Sequence, residues 1–150
     1  MKVVSNTSPI CYLLLIGQID LLPALFDEIL IPQAVRIELA DDNAPDVVQK
    51  WITQPPLHRG EREAIVLAQS LPADLIILDE KIARQVARTQ GLSVTGLLGI
   101  LDEAATRDLL NLPEAVEHLR QTNFRASPRI LKSLLDRRFR QIDQKKQPKE

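Results

Sequence analysis

Four polar positions stand out because each follows or opens an apolar run. The cluster SNTS, residues 5–8, separates Val3 and Val4 from the run ICYLLLI; Glu38 lies in PQAVRIELADD; Glu61 opens GEREAIVLAQSL; and Asp79, followed by Glu80, closes four apolar residues at 75–78. If the apolar runs are strands of an open parallel sheet, these groups collect beyond the carboxyl ends of the strands, where such sheets bind ligands. Asn6, Glu38, Glu61 and Asp79 then form a set of three acids and an amide. Hard oxygen donors of this kind suit Mg2+ or Mn2+, which keep several waters and share carboxylates with substrate phosphates. The reaction such a centre serves is phosphodiester hydrolysis, because the cation activates and orients a water and neutralises charge on the phosphate oxygens. An acidic mouth does not attract a phosphate backbone without a metal. Basic residues near the C-terminus offer phosphate contacts outside it.

Each of these residues has a plainer role to set beside the chemical one. Asp79 can cap the helix that follows its strand, and Glu61 can be a favourable acid near a helix N-terminus. Glu38 fits a solvated helix face, as do Glu63 and Glu80, while Asn6 and Ser8 need be no more than turn and cap residues. Other chemistries find less support. The chain contains no G-x-x-x-x-G-K-[ST], no G-x-G-x-x-G and no G-x-S-x-G, so phosphate-binding loops and a nucleophile elbow are not indicated. His58 and His118 are sixty residues apart and Cys11 is the single cysteine, which argues against structural zinc and makes Cys11 a small buried thiol. Arg84 and Arg88, one turn apart, read as a solvated face.

The elements that must position the acids follow from periodicity and punctuation. Val3 and Val4 begin a first strand; Ser8 caps a helix with Pro9 in its first turn, running to Ile16 and stopping at Gly17. A short helix is expected over 20–26, then a buried strand in EILIP ended by Pro32, then a helix in which Val35 and Leu39 share a face with Glu38 beside it. Within 41–59 the spacing predicts a short helix over 47–52. A helix follows from Glu61, with Ala64, Ile65, Leu67, Ala68 and Leu71 at helical spacing, and ADLIILDE is a strand of the kind found in sheets covered on both faces. KIARQVARTQG is a helix with Gly91 as its stop, LSV a last strand, and TGLLGILDEAATRDLL a helix. This alternation predicts an α/β fold, three layers α/β/α around a central parallel sheet with right-handed crossovers. Beyond Leu112 it gives way to two polar helices, PEAVEHLRQ and PRILKSLLDRRFRQI, joined by TNFRASP; the final QKKQPKE has nothing to bury and is expected to be disordered.

The chain has 150 residues, of which 45% are hydrophobic, and a formal net charge of −1. That is ample for one core. The charge is uneven: residues 129–150 hold eight Lys and Arg against three Asp and Glu, a local +5 that leaves −6 on residues 1–128. The apolar run 10–16 is shorter than the ~20 residues a membrane span needs, and no charged n-region followed by an A-x-A site marks a signal peptide. A soluble protein of a reducing cytoplasm is expected.

In the order VVSNTSPI, LFDEILIPQAVRIEL, GEREAIVLA, ADLIILDEKIAR and LSVTGLLGIL, the chain resembles the PIN-domain ribonucleases. It is similar in particular to the small prokaryotic PIN-like proteins related to the toxins of toxin–antitoxin pairs. The resemblance covers about residues 3–112, so it implies a PIN-like domain over 1–112 and a basic helical extension over 113–150. It implies a Mg2+- or Mn2+-dependent endoribonuclease whose ring of acids falls on Asn6, Glu38, Glu61 and Asp79, with Glu63 as the alternative to Glu61. Ser8 matches the small hydroxyl residue after the first acid and would position substrate. The implied partners are an RNA substrate, a cognate antitoxin and a second copy of the chain in a homodimer.

At the first position the group carries aspartate and this chain carries Asn6. The amide keeps the shape and one carbonyl ligand but loses a full charge. Three readings stay open: an active ribonuclease in which Glu38, Glu61 and Asp79 suffice, a catalytically silent domain that binds RNA or a protein partner, or an Asn6 that arises by deamidation-like or engineered change of a normal aspartate.

Overall fold

Lys2 to Ser5 alternate between half-buried and buried, with Val3 and Ser5 wholly enclosed, the period-two pattern of a strand with a core face. This strand, β1 (Lys2–Ser5), is central to the sheet. The computed structural model describes residues 2–53, 74–79, 81–89, 91 and 93–146. In chain order β1 is followed by α1 (Thr7–Leu15), α2 (Leu21–Leu25), β2 (Glu28–Leu30), α3 (Gln33–Leu39), α4 (Asp46–Thr53), β3 (Leu75–Ile77), α5 (Lys81–Thr89), β4 (Val94–Thr95), α6 (Leu97–Thr106), α7 (Leu112–Arg120) and α8 (Pro128–Lys146). The helix expected from Glu61 lies outside the described residues. Among the described residues no helix is long and apolar enough to cross a membrane.

The sheet has the order β2-β1-β3-β4 and every pairing is parallel. Val3 lies opposite Ile29 on one side and Leu75 on the other, and Ser5 lies opposite Ile77. The α/β fold with a central parallel sheet is therefore as the sequence predicts. Chain order moves from β1 to β2 on one flank and then returns to β3 on the other. The switch in strand order falls between β1 and β3.

The chain divides into two compact units, residues 1–97 and 98–150. In the first, Val3, Ile10, Leu13, Leu30, Leu39 and Ile77 are almost fully enclosed, each side chain contributing about 1.5–3 kcal/mol on burial. In the second, Leu101 and Ala105 of α6 are buried, as are Leu112, Val116 and Leu119 of α7 and Leu131 and Leu134 of α8. Asn111 caps α7, its side-chain oxygen accepting from the Glu114 N–H at 3.1 Å.

Several local expectations shift. The N-cap of α1 is Asn6, two residues before Ser8, which is an exposed residue inside the helix. Gly17 and Gly91 follow α1 and α5 with φ of +71° and +79°, left-handed conformations that glycine adopts without strain and that end a helix. Cys11 is half-buried rather than enclosed. Gln144, Lys145 and Lys146, expected to be disordered, continue α8, because a helix already anchored by Leu131 and Leu134 propagates at the cost of one residue's ordering per hydrogen bond.

Candidate metal centre at the carboxyl edge of the sheet

Asn6 and Asp79 arrive at the same edge because β1 and β3 are paired in register. Ser5 opposes Ile77, and the Asn6 N–H extends the ladder by donating to the Ile77 carbonyl at 3.0 Å. Asn6 is therefore the first residue past β1 and Asp79 the second past β3. Both stand at the switch in strand order, the place where an open parallel sheet leaves a crevice.

The Asn6 side chain is committed to the backbone. Its Oδ1 accepts from the Thr7 N–H at 2.9 Å, with φ −78° and ψ 173°, the extended conformation of an N-cap. The N-terminus of α1 is thus fixed at the mouth. Thr7 then ties in the second element: its hydroxyl donates to Glu38 Oε2 at 2.6 Å, a short, charge-assisted bond that holds the exposed Glu38 of α3 against the start of α1. Thr7 rather than Ser8 makes this contact. In the sequence Thr7 shows only as one member of a polar cluster, because a bond across 31 residues leaves no local periodicity.

Asp79 is half-buried and its two oxygens have different fates. Oδ1 accepts from the Leu97 N–H, the first residue of α6, at 3.0 Å. Among the described residues the buried Oδ2 has no hydrogen-bond partner. Asp79 does act as a cap, on α6 rather than on the helix immediately after its strand. Burial pushes the Asp79 carboxyl above its usual range; the Leu97 N–H and then the Arg84 guanidinium pull it part of the way back.

Two residues of α1 report the field between the acids. Burial raises the Cys11 thiol, and Glu38 raises it further; burial raises the Tyr12 phenol, followed by Asp79 and then Cys11.

Arg84 departs from expectation. Instead of sharing a solvated face with the exposed Arg88, it is half-buried, and its guanidinium Nη1 lies 2.8 Å from the point where a Cβ on Gly96 would stand. Leu78 O and Asp79 Oδ1 lie 3.3 and 3.7 Å from that same point. The only local sign in the sequence was its position five residues after Asp79.

Glu61 lies outside the described residues, as do Glu63 and Glu80. Among the described residues no three His, Cys, Asp or Glu side chains are grouped to hold a metal. The described donors at the mouth are Asn6, Glu38 and Asp79, all oxygen, with Asp79 Oδ2 a buried carboxylate oxygen lacking a donor. An oxygen of that kind is costly to leave unpaired, and a hard cation satisfies it. The donor chemistry fits Mg2+ or Mn2+.

A family model described as a PIN domain matches residues 2–54 and 43–139. No curated protein and no solved structure matches the chain significantly.

Proposed function

The chain belongs to the PIN-domain family, and from that premise we propose that it is a metal-dependent ribonuclease using the mouth between β1 and β3. Asn6, Glu38, Glu61 and Asp79 would hold Mg2+ or Mn2+, which when bound would supply Lewis-acid polarisation of the phosphodiester and of the attacking water. The observation that carries the proposal is Asp79, whose unpartnered buried Oδ2 stands at the switch in strand order.

The chain's own residues have separable tasks. The Leu97 N–H fixes Asp79 Oδ1, leaving the buried Oδ2 as the oxygen a metal would take. Thr7 orients Glu38. Asn6 fixes α1 through its own side-chain oxygen, so its contribution to a metal is a neutral amide. Ser8, exposed in the first turn of α1, is placed in the substrate-positioning role. On the same premise the proposal extends to a cytoplasmic toxin held by a cognate antitoxin, to a homodimer, and to a nuclease domain over 1–112 with a basic extension over 113–150.

One observation favours a second reading, a silent RNA-binding or partner-binding domain: an amide stands where the family resemblance places the first acid. The test is cleavage of a mixed RNA pool with Mg2+, Mn2+ or EDTA by the natural protein, Asn6→Asp and Asp79→Ala, purified identically. Metal-dependent cleavage by the natural protein that vanishes in Asp79→Ala is the expected result. Cleavage by Asn6→Asp alone would replace the proposal with the silent reading.

A further inference from the structure

Arg84 is a half-buried cation beside Asp79 at the acidic mouth. It enters from the first turns of α5, its guanidinium lying over Gly96 at the carboxyl end of β4, beside the Leu78 carbonyl and Asp79 Oδ1. The approach depends on Gly96 having no side chain, since a Cβ there would stand 2.8 Å from Nη1. Among the described residues no carboxylate is at ion-pair distance from Arg84. Its donors are therefore not spent on a described acid.

We infer that Arg84 is a substrate-binding residue of this site, holding the phosphodiester of a single-stranded RNA beside Asp79. The inference rests on the nuclease reading and adds to it the group that meets the phosphate. A guanidinium presents a planar fork of N–H donors that matches two phosphate oxygens, and it stays charged at any working pH. Its place at the ends of β3 and β4 is where ligands of such a sheet lie.

The role also bears on Asn6. An amide at the first acid position removes one negative charge from the mouth, which weakens metal binding but lessens repulsion of the phosphate backbone. Against the fixed positive charge of Arg84, the described acids are Glu38 and Asp79. A mouth of this composition draws on a protein cation for part of the attraction that a fully acidic one must take from metal.

A purely structural Arg84, serving only as a counter-ion for Asp79, would make different predictions. The test compares the natural protein, Arg84→Ala, Arg84→Lys and Gly96→Ala for steady-state cleavage of short RNAs of mixed sequence in Mg2+. Binding of the same RNAs, fluorescein-labelled, is followed in Ca2+ across a series of salt concentrations. Loss of a charge-assisted phosphate contact should raise KM and weaken binding about ten- to a hundredfold in Arg84→Ala. The slope of log affinity against log salt should become shallower by about 0.7, the release expected per phosphate neutralised on a single strand. Arg84→Lys should restore the salt slope but not the full affinity, because it keeps the charge without the fork. Gly96→Ala, with every charge intact, should displace the guanidinium and raise KM in the same direction.

A folded Arg84→Ala protein with unchanged KM and salt slope overturns the inference while leaving the nuclease reading standing. A fall in kcat alone also overturns it, since it shows Arg84 acting only through Asp79. If Arg84→Ala does not fold, Arg84→Lys and Gly96→Ala decide by the same measures. A natural protein that neither cuts nor binds RNA takes down both readings together.

Discussion

Replacing Asn6 by aspartate adds one negative charge at the mouth while leaving the architecture of α1 intact. The Asn6 side-chain oxygen caps the helix by accepting from Thr7 N–H at 2.9 Å, and aspartate caps as well as asparagine, its charge being favoured at a helix N-terminus. The added charge acts mainly on a bound cation. At ~4 Å and an effective dielectric near 20, each unit of cation charge gains ~4 kcal/mol before desolvation and repulsion from Asp79 are subtracted. If only about a third survives, affinity rises tenfold, since ~1.4 kcal/mol is one decade. The assay is thermal unfolding in EDTA and in Mg2+ at a concentration equal to the natural protein's Kd. There the natural protein gains about 0.4 kcal/mol and a tenfold tighter variant about 1.4 kcal/mol. The extra ~1 kcal/mol corresponds to a further rise of ~2–4 °C in Tm for a chain of this length. Asn6→Ala is the control: without the cap it should lose ~1 kcal/mol in EDTA and gain less than the natural protein from Mg2+. An Asn6→Asp protein with the same Mg2+ increment as the natural one would refute the placement of Asn6 at a metal.

Asp79→Asn should abolish cleavage yet stabilise the metal-free protein at neutral pH. Burial raises the Asp79 carboxyl, so its contribution to stability is full below the ordinary aspartate pKa and is lost as pH rises through the higher folded value. Denaturant unfolding in EDTA across that range should show a slope in the natural protein that is absent from Asp79→Asn. Thr7→Val keeps the β-branched shape but removes the bond to Glu38; Tm should fall by ~1–6 °C, the equivalent of one hydrogen bond at ~0.5–1.5 kcal/mol, while Mg2+ affinity by titration calorimetry falls severalfold and Thr7→Ser restores it. Ile77→Ala opens a void in a wholly enclosed position of β3 and should cost ~2–5 kcal/mol in chemical denaturation. A loss below ~1 kcal/mol would show that β3 does not anchor the core.

The alternation of apolar runs with amphipathic helices was sufficient to specify a parallel α/β sheet. Each strand carries its own β-branched or apolar stretch, and each helix its own periodicity and stop, as at Gly17 and Gly91. Asp79 was legible for the same reason, an acid closing an apolar strand. The strand order β2-β1-β3-β4 required the structure, because the pairing of β1 with β3 joins segments more than seventy residues apart. From that pairing comes the meeting of Asn6 and Asp79 at one edge, while the pairing of β3 with β4 sets the bond of Asp79 to Leu97 and that of β1 with β2 the reach of Thr7 to Glu38. Arg84 shows the division most sharply. Its spacing from Arg88 marks a helix face, but its place over Gly96, at the end of a different strand, is set by the packing of α5 against the sheet. Residue type and spacing set the elements and the acids, since these are local properties of the chain. The charge balance at the mouth is a property of distances between elements, and only the packed sheet decides it.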